Sequence, residues 1–344
     1  MRFAFGLGLA MSALTAAGMA PAAVSGGPVG LFEGHGDVGE VLHAGASTFD
    51  PATRSYTVTG SGENMWFTRD AFQFAWKKVS GDVSLAADVS FVGAGKNPHR
   101  KACLLLRQDL EPDSAYVDVA LHGDGLTSVQ FREAKGGATH EVQANVSGPK
   151  RLRIERRGKY ALLYLSGTDG QPQFSGAAVR FELREPFYAG IGVCSHEKDL
   201  TERAVFANVE LSAPLRASTR QPVLYSTLET QAIGSTDRRV VHVTPSRIEA
   251  PNWLRDGNTL LYNSGGRIYR IPASGGTPEG VDTGFADRCN NDHGVSPDGT
   301  LLAISDQSQG GRQSLIYTLP VGGGTPKRIT PNGPSYWHGW SPDG

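Results

Sequence analysis

Several things are scarce in this sequence, and each shortage excludes a class of function. Of 344 residues, 33 are Lys or Arg and 34 are Asp or Glu, a formal net charge of −1, so no basic field exists to hold a nucleic acid or an anionic membrane surface. Cysteine is nearly absent: Cys103, Cys194 and Cys289 make an odd count without Cys-x-x-Cys spacing, which argues against a structural zinc site. No Gly-x-Ser-x-Gly, His-Glu-x-x-His or P-loop motif occurs, and serine-hydrolase, zincin and nucleotide-binding readings lose their support. Charged residues are only 19% while glycine numbers 44, a balance that suits a turn-rich all-β chain and not a disordered one.

Long apolar runs are missing too, with one exception. Behind Met1 and Arg2, residues 3–20 are apolar and small, and Ala20, Pro21 and Ala22 follow as an A-x-A site. This is the layout of a secretory signal peptide over residues 1–22, which places the mature protein in the periplasm or outside the cell and leaves no integral membrane segment after cleavage. That compartment permits disulfides, yet Cys103 and Cys194 sit in strand-like apolar runs and are read as free and buried; a bridge stays open if the two strands face each other.

What is present is a repeat. The phrases Pro-Asn-Trp-Leu-Arg-Asp-Gly, His-Gly-Val-Ser-Pro-Asp-Gly and His-Gly-Trp-Ser-Pro-Asp-Gly end at Gly257, Gly299 and Gly344, setting Asp256, Asp298 and Asp343 at intervals of 42 and 45 residues. That is the period of β-propeller blades. Two more landmarks keep the register: Ile268 and Tyr269 answer to Ile316 and Tyr317, and the Gly-Gly-Thr-Pro ending at Pro278 answers to the one ending at Pro326. Asp-Gly supplies a tight reversal between apolar runs, and four short antiparallel strands per unit make one blade. Residues 222–344 are therefore expected to form a partial propeller of two full units and the start of a third at Tyr336. Residues 214–221 lack periodicity and are expected to be a linker, and the runs 223–228 and 239–243 are expected to help close the ring. The chain is expected to be truncated at its C-terminal side.

These repeats resemble the TolB-type propeller, whose Trp-Ser-Pro-Asp-Gly turn stands intact at residues 340–344; Val295 replaces its Trp in the second unit, and Leu254 and Arg255 replace its Ser-Pro in the first. The resemblance implies a ring of about six blades and three kinds of role: an exported binding scaffold, a propeller ahead of a peptidase domain, or a polysaccharide lyase. Aligned on the Asp-Gly turn, His293 and His338 share one position next to the channel, as do Glu249, Asn291 and Tyr336, and Asp292 adds to the polar start of an inner strand. Glu249, Asn291, Asp292, His293 and His338 are accordingly candidate ligand-binding residues. A similarity to oligogalacturonate lyases implies His293 and His338 as ligands of a divalent metal, Mn²⁺ or Ca²⁺, that acidifies a sugar α-proton; no base is identified, and no other cofactor is implied.

Residues 30–213 read differently. Short alternating runs, punctuated by Gly, Asn, Asp or Pro, recur from residue 56 to residue 211, and Arg157, Gly158 and Lys159 form a tight hairpin signal. Some thirteen strands without a helix point to a β-sandwich or jelly roll. The phrases at residues 81–85, 99–107 and 122–125 resemble concanavalin-like sandwich domains, which implies carbohydrate binding and, in some members, glycoside hydrolysis. Hydrolysis needs two carboxylates flanking the scissile bond, and no Glu-x-Asp-x-Glu occurs. Asp118, Glu133 and Glu182 are isolated acids expected on the solvated outer face. A binding groove remains, for which Trp66, Trp76 and Tyr116 would supply aromatic faces and Arg107, Asp118 and His122 planar polar groups. The sequence thus describes an all-β chain, a sandwich followed by an incomplete propeller, that binds a saccharide or protein partner and is read as a scaffold before an enzyme.

Overall fold

The computed structural model describes residues 26–166, 170–215, 223–309, 311 and 313–344. The expected leader and most of the expected linker lie outside these residues. The described residues form strands joined by turns and irregular segments, with no helix among them.

Two sheets pack face to face. One holds nine strands in the order Gly34–Val38, Phe72–Val79, Phe187–Cys194, Lys101–Arg107, Tyr116–His122, Thr127–Arg132, His140–Gln143, Arg238–Thr244 and Ser226–Gln231. The other holds seven: Pro172–Arg180, Tyr160–Ser166, Arg151–Arg157, Val83–Phe91, Glu197–Ser212, Ser55–Gly62 and Ala46–Asp50. Period-2 alternation sends Leu104, Val119, Ile154, Leu163, Ile191 and Phe206 into one continuous core between the sheets. The expected hairpin is the two-residue turn Gly158-Lys159, with Arg157 paired to Tyr160 and Gly158 at φ +56°.

The Lys101–Arg107 strand is buried along its whole length, so something must cover its second face as well. The cover is a small hairpin, Met65–Trp66 and Arg69–Asp70, seated on Val38, Phe72, Phe74, Cys103, Leu105, Ala120 and Cys194. The face it covers carries the functional candidates of the sandwich. All three cysteines are free and buried.

Two blades follow, each a four-stranded sheet: Glu249–Trp253, Thr259–Ser264, Arg267–Pro272 and Glu279–Gly280, then Cys289–Val295, Leu301–Asp306, Leu315–Pro320 and Lys327–Arg328. Their turns work as the repeat requires. Asp256 accepts the backbone N–H groups of Asn258 (2.8 Å) and Thr259 (2.9 Å), Asp298 accepts that of Thr300 (3.0 Å), and Gly257 and Gly299 take φ of +67° and +77°. Leu261 and Ile268 of the first blade share a core with Leu302, Ile304 and Tyr317 of the second. The described residues form no closed ring.

The structure departs from expectation at the third unit. Residues 336–344 form no strand; Trp337 N–H donates to Ser305 Oγ (2.8 Å) and Trp340 Nε1–H to the Gly294 carbonyl (3.1 Å), so the segment rests on the second blade through isolated bonds. The hairpin Ser226–Gln231 and Arg238–Thr244 also has two allegiances. Parallel pairing of Val142 with Arg238 and Gln143 with Arg239 makes it the edge of the nine-stranded sheet, and Val240 enters the sandwich core. Its opposite face gives Leu228 and Val241 to the first blade, against Leu260, Tyr262 and Ile271.

Candidate functional site

The outer face of the nine-stranded sheet is a buried polar floor. Cross-strand register sets Lys101 beside His122, Leu105 beside Asp118, Asp118 beside Gln130, and Arg107 beside Tyr116, which pairs in turn with Arg132. Two cations on this floor, Lys101 and Arg132, hold the covering hairpin by its backbone, and a third, Arg107, holds the neighbouring loop. Lys101 Nζ donates to Asn64 Oδ1 (3.1 Å), the Met65 carbonyl (2.9 Å) and Gln130 Oε1 (3.1 Å), which satisfies all three of its protons. Arg132 donates to the carbonyls of Trp66 (3.2 Å) and Phe67 (3.3 Å), and Arg107 to those of Asp109 (3.2 Å) and Glu111 (2.6 Å). Asp70, from the hairpin itself, bridges both guanidiniums with its single charge: it accepts from Arg107 at 2.6 Å and from Arg132 through both oxygens, at 2.8 and 2.9 Å, with all three side chains fully buried.

Two titratable groups on the floor are left with open valences. Neither carboxylate oxygen of Asp118 meets a donor at full hydrogen-bond geometry, and burial pushes its pKa up to about 7 against the opposing pull of Lys101 and weaker help from the Cys103 thiol and the Gln130 backbone. Asp118 is therefore not the solvated outer-face acid expected from the sequence, because the hairpin roofs the face that alternation alone would leave wet; Glu133 and Glu182 are exposed as expected. His122 Nε2 lies 3.1 Å from the Gln130 amide nitrogen while its buried Nδ1 is unpartnered, and burial, helped by Lys101, lowers its pKa to about 3. His99 lies between His122 and His196, perpendicular to the first ring and tilted to the second, with centroids 5.9 and 5.6 Å away.

Beside the roof lies an open groove of about 1210 Å³, walled by the hairpin on one side and by residues 39–42 and 196–199 on the others. Close approach of these walls depends on glycine: a Cβ on Gly39 would meet the Asp70 carbonyl at 2.1 Å, and one on Gly62 the Ala71 carbonyl at 1.9 Å. Lys198 and Asp199 reach the groove because the strand bulges between Glu197 and Glu202, where its pairing with the Ser55–Gly62 strand shifts register. Leu42 and Phe67 are exposed at the rim, and Glu63 pairs with Lys198 at 3.2 Å.

The six sandwich candidates fall into two sets. Arg107, Tyr116, Asp118 and His122 share the floor, with Trp66 above it at 5.3 Å from Lys101 Nζ to ring centroid, while Trp76 stands two strands away against Phe74 and Tyr188. The groove itself is built from Asn64, Phe67, Arg69, His196 and Glu197, which sequence reasoning passed over. The propeller candidates are less convergent. His293 is buried, its Nδ1 3.2 Å from the Asn291 carbonyl and its Nε2 unpartnered, whereas His338 is exposed; burial lowers the pKa of His293. Asp292 accepts from Asn290 (3.1 Å), and Glu249 pairs with Arg247 (2.8 Å). Among the described residues no group of three or more His, Cys, Asp or Glu is arranged to hold a metal ion.

No family model matches the chain. An uncharacterised protein of Agrobacterium fabrum, Atu1656, is 58% identical over 120 residues, which is 35% of this chain and 41% of that protein. A solved structure described as a TolB candidate from Agrobacterium tumefaciens is 60% identical, covering 31% of this chain and 39% of that one, with a TM-score of 0.31. A functionally unknown protein from Saccharomyces cerevisiae is 17% identical over 50% of this chain and 93% of its own, at a TM-score of 0.41. The chain thus spans about two fifths of the length of these Agrobacterium relatives, and over that part it is similar in sequence to the structure described as a TolB candidate. No helix among the described residues is long and apolar enough to cross a membrane.

Proposed function

We propose that this chain is an exported binding scaffold whose sandwich engages a saccharide through the groove beside the Met65–Trp66 and Arg69–Asp70 hairpin, with the propeller as a second platform for a protein partner. The groove carries the reading. Its volume of about 1210 Å³ exceeds the roughly 300–1,000 Å³ of typical small-molecule sites and suits an extended ligand. Its walls mix planar hydrogen-bonding groups, Asn64, Arg69 and Glu197, with the apolar side chains of Leu42 and Phe67. Saccharides present both hydroxyl pairs and apolar ring faces, so they match such a lining. A catalytic role gains nothing from the floor, since Asp118 is sealed from any substrate that occupies the groove. Export rests on the leader-like residues 1–22. Probing the folded chain on a glycan array tests the proposal: specific retention of at least one oligosaccharide is expected, and a blank array overturns the saccharide reading.

A further inference from the structure

Phe67 has the most unusual conformation on the groove wall. Its φ is +48°, a left-handed backbone that bulky L-residues rarely adopt, yet its ring is 70% exposed. Nothing in the core requires it. The conformation is held from below: the Phe67 carbonyl accepts Thr139 Oγ1–H (3.0 Å) and Arg132 Nη2–H (3.3 Å), and Arg132 is itself clamped by both oxygens of Asp70. A fully buried ion pair thus fixes a strained residue whose side chain points away from the core, where Asn or Gly would fit the backbone more easily. Across the groove, His196 is also left-handed, at φ +61°.

We infer that Phe67 is the aromatic platform of the groove, the face on which a pyranose ring of the bound saccharide stacks. This rests on the saccharide reading above and names its contact residue, in place of Trp66, which lies over Lys101, and Tyr116, which is wholly buried. Charge narrows the ligand further. Glu40, Glu63, Glu197 and Asp199 on the walls outnumber Arg69 and Lys198, so the platform serves an uncharged or amino-bearing polysaccharide and not a polyuronate.

The test is native gel electrophoresis of the whole chain through gels cast with a β-glucan, a galactomannan, chitosan or polygalacturonate. The variants are Phe67→Asn, which keeps a residue tolerant of the left-handed backbone and deletes the ring, and Phe67→Trp, which keeps an aromatic face. The parent and Phe67→Trp should be retarded by at least one uncharged or amino-bearing polymer. Phe67→Asn should bind at least about tenfold more weakly while melting no lower than the parent, a split that general damage to the fold would not produce. Equal retardation of parent and Phe67→Asn overturns the platform and leaves the saccharide reading standing. Loss of binding in Phe67→Trp as complete as in Phe67→Asn also overturns it, and retardation by polygalacturonate alone overturns the ligand class. A parent that no polymer retards overturns the saccharide reading and the platform with it.

Discussion

Asp118 and His122 stand on one strand and one face, both buried, and their titrations act on stability in opposite directions. Burial raises Asp118 from 3.8 to about 7, so between those values the folded chain keeps a proton that the unfolded chain has lost, and stability falls as pH rises through this window. Burial lowers His122 from 6.5 to about 3, so between those values the unfolded chain takes up a proton that the folded chain refuses, and stability rises with pH. Where only one state is protonated, each group contributes a slope of about 1.4 kcal/mol per pH unit. From pH 4 to 6.5 the two slopes oppose and cancel. Asp118→Asn should therefore gain an upward slope relative to the parent, reaching about 3 kcal/mol across that window, and His122→Gln should show the mirror-image fall. The double variant should run parallel to the parent. Comparison with the parent removes the contributions of His196, His242 and His293, whose pKa values burial also lowers. Urea unfolding followed by tryptophan fluorescence at half-unit steps from pH 4 to 7.5 gives the profiles. An Asp118→Asn profile parallel to the parent refutes the claim that burial raises this carboxyl into the neutral range.

Other consequences are open to direct measurement. Asp70→Ala leaves two fully buried guanidiniums uncompensated and should cost about 3–5 kcal/mol, lowering the calorimetric midpoint by roughly 10 °C; a fall below about 2 °C contradicts the clamp. A chain cut after residue 213 loses Val240 from the sandwich core and should melt below one cut after residue 245, whereas equal midpoints make the hairpin a bystander. Because His293 is buried and His338 exposed, titration calorimetry with Mn²⁺ and Ca²⁺ should give the same heats for the parent and the His293→Ala, His338→Ala pair; a stoichiometric heat lost in the pair would show that the two histidines share a metal.

The strands that sequence displayed were those with clear alternation or an apolar run. Gly34–Val38 (Gly-His-Gly-Asp-Val) and Ala46–Asp50 (Ala-Ser-Thr-Phe-Asp) stayed hidden because they lie toward sheet edges and need few apolar side chains. The repeat was legible for a different reason: Asp-Gly turns fix backbone conformation locally, so Asp256 and Asp298 bond to their own turns whatever surrounds them. The candidate site was legible only in part. Arg107, Tyr116, Asp118 and His122 do share a face, as period 2 requires, but sequence could not show that residues 65–70 fold over it. One signal was available. Lys101 and Arg107 begin and end a strand whose other members are all apolar, and a cation so placed must be paired or bonded to backbone. Phe67 gave no signal at all, since its exposure depends on a left-handed turn held by residues 65 positions away in the chain.

The central claim is that the groove beside this hairpin is where a saccharide sits. Co-crystallising the chain with the oligosaccharide best retained on the array tests it most directly. Sugar density is expected between Phe67 and residues 196–199, hydrogen-bonded to Asn64, Arg69 or Glu197. Density found only on the blades, or only against Trp76 and Tyr188 at the far side of the sheet, contradicts the account.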